Sequence, residues 1–416
     1  MVATIEQTTP GRAGRGPGRL NRGATFGLQA AILVTFFAAS SMPTPLYSLY
    51  EQEWNFSSIT LTVVFASYVL ALLLALLTVG SLSDHLGRRP VLLAALALEI
   101  VAMAVFAAAG DVATLLAARL VQGLATGAAM GVLGAGLLEL EHPNLPGRGT
   151  LVNSVAPMAG LALGGFGSSA LVQWVVAPTR LGYLILLLLL VMQAVGVLLS
   201  PETVQLRAGA LASLRPRAGL PHAARRALLV CAPCAVATWA LGGLYLSLGP
   251  AVAHSVSGWR SQLLGGFVVL ALAGSGAIAV LLVRGRHASI AMLIGTFALA
   301  AGMALTLLAI QRGSGWLFFT STVIAGAGFG AGFSGALRTL LPLAQPHERA
   351  ELLASVYILS YLAFSVPAVL AGFAVARFGL LDTTRSYSLA VLLLAAGALV
   401  GLLLQRRSAG RTQVAG

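Results

Sequence analysis

The composition of this chain of 416 residues excludes the soluble classes of protein, because 58% of its residues are hydrophobic and only 9% are charged. Its 25 basic residues are all arginine, and 12 acidic residues leave a net charge of +13. On a soluble domain such a charge would suggest nucleic acid as a partner. In a chain this apolar we expect no nucleic acid, and we expect the arginines to orient the protein in a lipid bilayer.

Runs of about 20 apolar residues, the length that crosses a bilayer as a helix, recur along the chain. The twelve predicted spans, numbered in chain order, are 26–47, 57–79, 90–109, 112–138, 150–176, 181–200, 227–250, 261–283, 288–310, 316–341, 351–376 and 385–404. The first is too long for the core of a signal peptide, so we expect it to be retained. The predicted fold class is an all-α integral membrane protein.

The arginines predict how these spans are oriented. Nineteen lie in the termini and in loops on the side of the N-terminus, five lie in loops on the opposite side, and Arg119 lies within a span. Because basic residues concentrate in cytoplasmic loops, both termini are predicted to be cytoplasmic. The high arginine and alanine content without lysine favours a bacterial plasma membrane, and we expect a monomer there.

Five regions follow from the positions of the spans. They are a basic arm at 1–24, an N-terminal six-helix half at 25–200, a cytoplasmic central loop at 201–226, a C-terminal six-helix half at 227–404 and a cytoplasmic tail at 405–416. The arm is rich in glycine, proline and arginine, which predicts a disordered segment that contacts anionic lipid.

An internal repeat relates the two predicted halves. The segment 122–143 matches 325–346 at an offset of 203, which places Gly123 over Gly326 and Gly127 over Gly330. The fourth and tenth spans are therefore predicted to be copies of each other. A six-plus-six repeat of this kind predicts a transporter with its substrate site between the halves.

Four motifs carry a resemblance to a known family. The loop between spans 2 and 3 reads GSLSDHLGRRP, and its Gly80, Leu82, Asp84, Gly87, Arg88 and Arg89 resemble the signature motif of the major facilitator superfamily. Arg119, Gln122, Gly123 and Gly127 are similar to a second signature of that superfamily in span 4. Two further segments resemble motifs of its twelve-span drug:proton antiporter branch. They are Pro157, Gly160, Gly164 and Gly165 of span 5, and Pro201, Glu202 and Thr203 after span 6. The Gly that normally precedes the Pro in span 5 is missing.

The resemblance implies a conformational latch on the cytoplasmic side. Asp84 would accept hydrogen bonds at the N-terminus of span 11, where the helix dipole favours a negative charge. Arg88 and Arg89 would then lie beside Glu348 and Glu351 until the inner side opens. The matching loop of the second half, from residue 283, has lost the acid, so one latch is expected. The alternative is that these arginines only set the topology.

Glu99 is the only acidic residue well inside any predicted span. Burying a carboxylate in a membrane costs several kcal/mol unless it is paired or protonated, so such residues are functional candidates. Arg119 is predicted to lie within about 3 Å of the same depth, counting 1.5 Å per residue from the turn between spans 3 and 4. We expect this pair to carry proton coupling; the alternatives are a static ion pair or a permanently protonated acid.

The resemblance also implies that spans 1, 4, 7 and 10 line a substrate cavity, with spans 2, 5, 8 and 11 beside them. The expected lining consists of aromatic, thioether and amide side chains: Gln29, Phe36, Phe37, Met42, Tyr47, Gln122, Met130, Asn153, Trp239, Tyr245, Phe329, Phe333, Tyr357 and Tyr361. Such a lining suits a moderately apolar or amphipathic organic compound, because a sugar or a phosphate needs more polar or cationic partners.

The sequence contains no motif for nucleotide binding, metal binding or catalysis. A phosphate-binding loop needs a lysine, which the chain lacks, so ATP-driven transport is not expected. We predict no cofactor, no metal site and no enzyme activity, and Cys231 and Cys234 are expected to pack within a helix. The predicted function is secondary active transport, with proton-coupled export of a small organic molecule. The alternatives are proton-coupled uptake of a small metabolite, or a non-transporting receptor or assembly factor.

Overall fold

The computed structural model describes residues 20–175, 177–204, 209–214, 219–345 and 348–414. Within these ranges every regular element is a helix, and twelve helical segments are long and apolar enough to cross a membrane. The prediction of an all-α protein with twelve spans is confirmed. Most of the arm predicted at 1–24, two stretches of the loop predicted at 201–226 and the last residues of the tail lie outside the described residues.

The helices follow the predicted order. In the first half, span 1 is Arg22–Ser41 with Pro43–Trp54, span 2 is Ser58–Val79, span 3 is Arg88–Ala108, span 4 is Val112–Glu139, span 5 is Arg148–Trp174 and span 6 is Pro178–Leu198. In the second half, span 7 is His222–Ser247 with Gly249–Ser257, span 8 is Leu263–Val269 with Leu270–Gly274 and Ser275–Val283, span 9 is Ala288–Arg312, span 10 is Gly315–Leu340 with Leu341–Leu343, span 11 is Arg349–Phe378 and span 12 is Leu380–Val414. Short helices at Ser83–Leu86 and Ala210–Ser213 lie in two loops.

Spans 1 and 7 each consist of two α-helices. Span 1 breaks at Met42, and its second helix begins with Pro43 and runs on to Trp54, seven residues beyond the predicted end at 47. Span 7 breaks at Leu248, just before Pro250. The cause is the same in both, because proline has no N–H to continue the helical ladder and is accommodated in the first turn of a new helix.

The spans pack as two groups of six. Within the first group, span 4 packs against spans 2 and 3, and span 1 against span 5; within the second, span 10 packs against spans 8 and 9, and span 7 against spans 11 and 12. The two groups touch mainly through spans 2 and 11 and through spans 5 and 8. This arrangement places the space between the halves beside spans 1, 2, 4 and 5 on one side and spans 7, 8, 10 and 11 on the other.

The repeated glycines make equivalent contacts in the two halves. A methyl group on Gly123 or Gly127 would meet the backbone of span 2, and one on Gly326 or Gly330 would meet the backbone of span 8. Spans 2 and 8 are six apart in order, as spans 4 and 10 are. The repeat predicted from the sequence is therefore present in the packing, where glycine lets two helix backbones approach closely.

Candidate transport cavity and buried polar cluster

A cavity of about 930 Å³ lies between the halves. Its wall is formed by side chains from spans 1, 2, 4, 5, 7, 8, 10 and 11. At one end the wall reaches the loops that follow spans 2, 6 and 10, with Asp84, Gly209 and Leu341. In a chain of twelve spans these loops lie on the side of both termini, so the cavity opens toward that side.

Eight of the predicted cavity residues line the wall, and six do not. The eight are Phe37, Met130, Asn153, Trp239, Phe329, Phe333, Tyr357 and Tyr361. The six that lie elsewhere are Gln29, Phe36, Met42, Tyr47, Gln122 and Tyr245, all of them buried. They occupy faces of spans 1, 4 and 7 that pack inside a half.

The contacts of the excluded residues explain their positions. Gln29 packs beside Gly136 of span 4, and Met42 reaches Gly182 of span 6. The Tyr245 hydroxyl lies 3.0 Å from Thr306 Oγ1 in span 9. Each side chain thus fills a gap between helices of its own half, and Phe36 likewise belongs to the core of the first half.

Part of the wall in spans 1, 2 and 11 was not predicted from the sequence. Phe65 and Tyr68 from span 2, Phe364 from span 11, and Ser40 from span 1 all line the cavity. The missed aromatic residues had a signal, since Phe65 and Tyr68 are three residues apart and so are Tyr361 and Phe364. That spacing puts each pair on one face of its helix.

Aromatic rings dominate the C-terminal side of the cavity. The ring centroid of Trp239 lies 5.2 Å from Phe333, 4.9 Å from Tyr361 and 5.7 Å from Phe364, with interplanar angles of 80°, 66° and 76°. These are edge-to-face contacts, the geometry that aromatic quadrupoles favour. The cluster therefore forms a wall of rings contributed by spans 7, 10 and 11.

Hydroxyl and amide groups concentrate on the N-terminal side. Ser40 Oγ donates to Phe37 O at 2.9 Å, Ser154 Oγ donates to Thr150 O at 3.0 Å, and Asn153 Nδ2 donates to Gly134 O at 2.9 Å. All of these side chains line the cavity. Their hydrogen-bond donors are directed to backbone carbonyl groups, which leaves acceptor lone pairs on the oxygens.

A buried polar cluster lies behind this side of the cavity. Arg119 donates to the Tyr47 hydroxyl at 2.9 and 2.5 Å, to Ser40 O at 3.0 Å and to Gln122 Oε1 at 2.7 Å. Gln122 Nε2 in turn donates to Glu99 Oε1 at 3.2 Å. The Arg119 guanidinium also lies 5.3 Å from the ring of Tyr68, a residue of the cavity wall. The cluster is therefore one side chain away from the cavity.

Glu99 and Arg119 both form hydrogen bonds with Gln122, but they do not form a direct ion pair with each other. Gln122 stands between them, because its amide can accept from the arginine and donate to the carboxylate at once. The second carboxylate oxygen of Glu99, Oε2, is buried and has no hydrogen-bond partner among the described residues. Glu99 is thus a fully buried acid with one satisfied oxygen.

Charged residues at the mouth of the cavity form a second cluster, which lies within the first half. Arg88 is 2.8 Å from both Asp84 Oδ1 and Glu139 Oε1. The backbone N–H groups of Arg88 and Arg89 donate to the Glu202 carboxylate at 2.9 and 3.0 Å. The acid that follows span 6 therefore caps the N-terminus of span 3, a favoured position for negative charge.

The latch partners are apart in this conformation. Neither Arg88 nor Arg89 forms an ion pair with Glu348 or Glu351, all of which the structure describes. Glu348 Oε2 accepts from the backbone N–H of Gln345 at 3.1 Å. Glu351 lines the cavity mouth across from the first half. Arg88 also lines this end of the cavity, so Arg88 and Glu351 both lie at the mouth without pairing in this structure.

The antiporter-like segment of span 5 lies at two interfaces. Methyl groups on Gly160 and Gly164 would meet the backbone of span 1, and one on Gly165 would meet Val269 of span 8 at 2.6 Å. Pro157 lines the cavity. The segment thus touches both the neighbouring helix of its own half and the opposite half.

Neither the cysteines nor the described histidines form a cluster of metal ligands. Among the described residues no group of three His, Cys, Asp or Glu side chains is placed to hold a metal ion. Cys231 and Cys234 are buried, and Cys234 Sγ accepts from Thr296 Oγ1 at 3.2 Å. Both pack inside the second half.

Solved structures share this fold. A crystal structure of the human organic anion transporter MFSD10 (TETRAN) aligns with a TM-score of 0.62 at 17% identity, covering 92% of this chain and all of that one. A structure of the nucleoside transporter NupG, in mutant form, aligns with a TM-score of 0.71 at 13% identity over the same shares. At such identities the likeness concerns the fold alone.

Two sequence comparisons concern the family itself. The human proton myo-inositol cotransporter is 35% identical over 107 residues, which make up 26% of this chain and 16% of that protein. The model of the Major Facilitator Superfamily matches residues 30–313. With its twelve spans, its two halves and the cavity between them, this chain belongs to the major facilitator superfamily of membrane transporters.

Proposed function

We propose that this protein is a proton-coupled secondary transporter that exports a small, moderately apolar or amphipathic organic compound by alternating access. The cavity supports this proposal, because it is large enough for such a molecule and is lined mostly by apolar and aromatic side chains. It is also open at one end only, as alternating access requires.

The opposite end of the cavity is closed by contacts between the halves. Gly265 of span 8 lies between Pro45 and Pro250, so that a methyl group there would be 3.4 Å and 3.2 Å from their Cβ atoms. Phe65 and Phe364 pack with their ring centroids 5.1 Å apart. The second helices of the interrupted spans 1 and 7 therefore meet at this end, where we propose that the outer gate lies.

The observation that carries proton coupling is the buried Glu99 with its unpartnered Oε2. A carboxylate there needs a proton or a compensating charge, and the nearest charge, on Arg119, reaches Glu99 only through Gln122. Arg119 binds Ser40 O in the first helix of span 1 and Tyr47 in the second. We propose that gain and loss of the Glu99 proton shifts this cluster and so biases the break in span 1.

Uptake by symport is the second candidate. The protein that is 35% identical over 107 residues is named as a proton cotransporter, which favours protons and substrate moving together. Export is favoured by the resemblance of span 5 and of the segment after span 6 to the antiporter branch. The two mechanisms differ in a measurable way, since antiport moves substrate toward the acidic side of a pH gradient and symport moves it toward the alkaline side.

We also propose that both termini are cytoplasmic in a bacterial plasma membrane. The distribution of arginines, nineteen on the side of the termini and five on the other, supports the orientation, and the high arginine and alanine content without lysine supports the bacterial membrane. In that orientation the cavity of this structure faces the cytoplasm. In a variant that lacks Cys231 and Cys234, Gly313→Cys, in the loop after span 9, should react with an impermeant reagent added outside intact cells.

The test of coupling is Glu99→Gln in proteoliposomes with a panel of candidate compounds. The amide has the shape of the protonated acid but cannot release a proton, so transport driven by a pH gradient should be lost while exchange without a gradient continues. Glu53→Gln is the matched control, because Glu53 is an exposed acid of span 1 outside the cavity. It should transport like the unmodified protein.

Two outcomes would contradict this proposal. A Glu99→Gln protein with full pH-driven accumulation would exclude Glu99 as the coupling residue. A Glu99→Gln protein with a lower melting temperature, in which binding and exchange fail together, would make Glu99 a structural residue. Since Arg119 keeps its contacts with Tyr47 and Ser40 in the variant, we expect little loss of stability.

A further inference from the structure

We propose that the substrate is an aromatic compound whose head group donates hydrogen bonds, as an amine or a hydroxyl does. Its ring would lie against the C-terminal half and its head group against the N-terminal half. This inference rests on the proposed function, transport through the cavity between the halves, and adds the substrate class and its orientation.

The C-terminal wall fits a planar ring. Trp239, Phe333 and Tyr361 present faces and edges at about right angles to one another, with centroids 4.9 to 5.2 Å apart around Trp239. Tyr357 and Phe364 extend the same wall. A further aromatic ring can join such a cluster by the edge-to-face and offset contacts already present in it.

The N-terminal wall is rich in acceptors. The hydroxyl groups of Ser40 and Ser154 and one N–H of Asn153 are already used on backbone carbonyls. Ser41 Oγ also donates to a carbonyl, that of Leu161, at 2.9 Å. The donors named here are thus taken, while the oxygens of these side chains keep lone pairs, so a donor on the substrate finds acceptors on this side.

An anionic head group would be poorly compensated in the cavity. The charged residues of the wall, Asp84, Arg88 and Glu351, all lie at the mouth. Arg119 is not part of the wall, and its N–H groups are directed to Tyr47, Ser40 O and Gln122. An anion deep in the cavity would lose its hydration without a cation to replace it.

The test compares three indoles that share one ring. Tryptamine carries an amine, tryptophol a hydroxyl and indole-3-acetate a carboxylate; 2-cyclohexylethylamine keeps the amine without the ring. Binding to the full-length protein in detergent is measured by calorimetry. We expect tryptamine and tryptophol to bind at least about tenfold more tightly than indole-3-acetate, and tryptamine about tenfold more tightly than the cyclohexyl amine.

Variants of the two walls should act differently. Trp239→Leu should weaken the binding of all three indoles by a similar factor. Phe333→Leu should have the same effect and replaces the first variant if that one does not fold. Asn153→Leu should instead reduce the preference for donor head groups. Trp316→Leu is the matched control, since this tryptophan is 76% exposed and outside the cavity; it should leave all affinities unchanged.

The inference is overturned if indole-3-acetate binds as tightly as tryptamine, if folded Trp239→Leu and Phe333→Leu proteins bind like the unmodified one, or if no indole binds. These outcomes are distinct from failure of the proposed function. If tryptamine binds as expected but neither it nor any compound of the panel is transported in proteoliposomes under any gradient, transport is contradicted and the assignment of the binding site remains.

Discussion

The N-terminal and C-terminal halves differ most in how they use charged side chains. The first half holds the buried Glu99 and Arg119 and the ion pairs of Arg88 with Asp84 and Glu139. In the described part of the second half the one ion pair is the exposed pair of Asp382 and Arg385. The helix packing repeats, but the titratable groups do not.

At the corresponding loops, arginine side chains of the two halves have different partners. Between spans 2 and 3, Arg88 binds carboxylates; near the loop between spans 8 and 9, Arg338 donates to Val283 O at 3.3 Å and to Arg286 O at 2.6 Å. Backbone carbonyls at the end of a helix thus replace the acids. In the cavity the difference is reversed, since the second half supplies most of the aromatic wall. In the transport cycle that we propose, the first half would respond to protons and the second would bind the substrate ring.

The largest expected effect tests whether the packing really is equivalent. Gly127→Ala would drive a methyl group into Leu72 O of span 2, and Gly330→Ala would drive one into Gly276 O of span 8. Because backbone atoms cannot move aside, the helices must separate, at a cost of about 1–3 kcal/mol for each variant. Thermal unfolding in detergent should show a similar loss for both.

Gly397→Ala in span 12 is the control for this pair. No atom lies within 4 Å of the added methyl group, so the variant should be as stable as the unmodified protein or more so, by up to about 1 kcal/mol. If either Gly127→Ala or Gly330→Ala behaves like Gly397→Ala, the two interfaces are not equivalent.

The next effect concerns the charge difference at the mouth. Asp84→Asn should lower transport about tenfold while membrane insertion is kept. The predicted latch would lose a charge-assisted contact of about 1.5 kcal/mol or more, which destabilises the state in which the cytoplasmic side is closed. Asp382→Asn removes the exposed ion pair of the second half and should leave transport unchanged. Equal transport by well-expressed Asp84→Asn protein would show that the charges at this loop only set the topology.

Much of the fold could be predicted because it depends on local pattern. Apolar runs of about 20 residues gave the spans, and the glycine spacing gave the repeat. The faces of the helices were harder, since spans that are apolar all round have no stripe that points to the cavity. Tyr47 and Gln122 were assigned to the wall for this reason, whereas they bind Arg119.

The contacts of the site could not be predicted. Counting residues from the turn predicted that Glu99 and Arg119 lie at one level. It could not show that Gln122, one turn after Arg119, would fill the space between them. Nor could it show which conformation brings the latch charges together, because that depends on how the two halves tilt.

The smallest expected effect is a difference in how acidic pH changes the stability of one helix cap in each half. Asp111 and Ser314 occupy equivalent positions at the repeat offset of 203, and each caps its helix: Asp111 Oδ1 accepts from Thr114 N at 2.7 Å, and Ser314 Oγ accepts from Leu317 N at 3.4 Å. The backbone hydrogen bond from Thr114, followed by its side-chain hydrogen bond, lowers the pKa of Asp111 below its ordinary value of 3.8. Only the cap of the first half can therefore titrate.

The sign of the effect follows from the direction of that shift. A carboxyl with a lowered pKa in the folded state stabilises the fold above its ordinary pKa, and this contribution is lost as the pH falls through the lowered value. Asp111→Ser should therefore remove a small part of the fall in melting temperature below pH 3.8, and Ser314→Asp should add a similar part. Melting curves of both variants from neutral to acidic pH would measure this. If the caps are equivalent, losing the carboxylate in one and gaining it in the other should change the fall in melting temperature at acidic pH in opposite directions. A change in the same direction for both variants would show that the caps of the two halves are not equivalent.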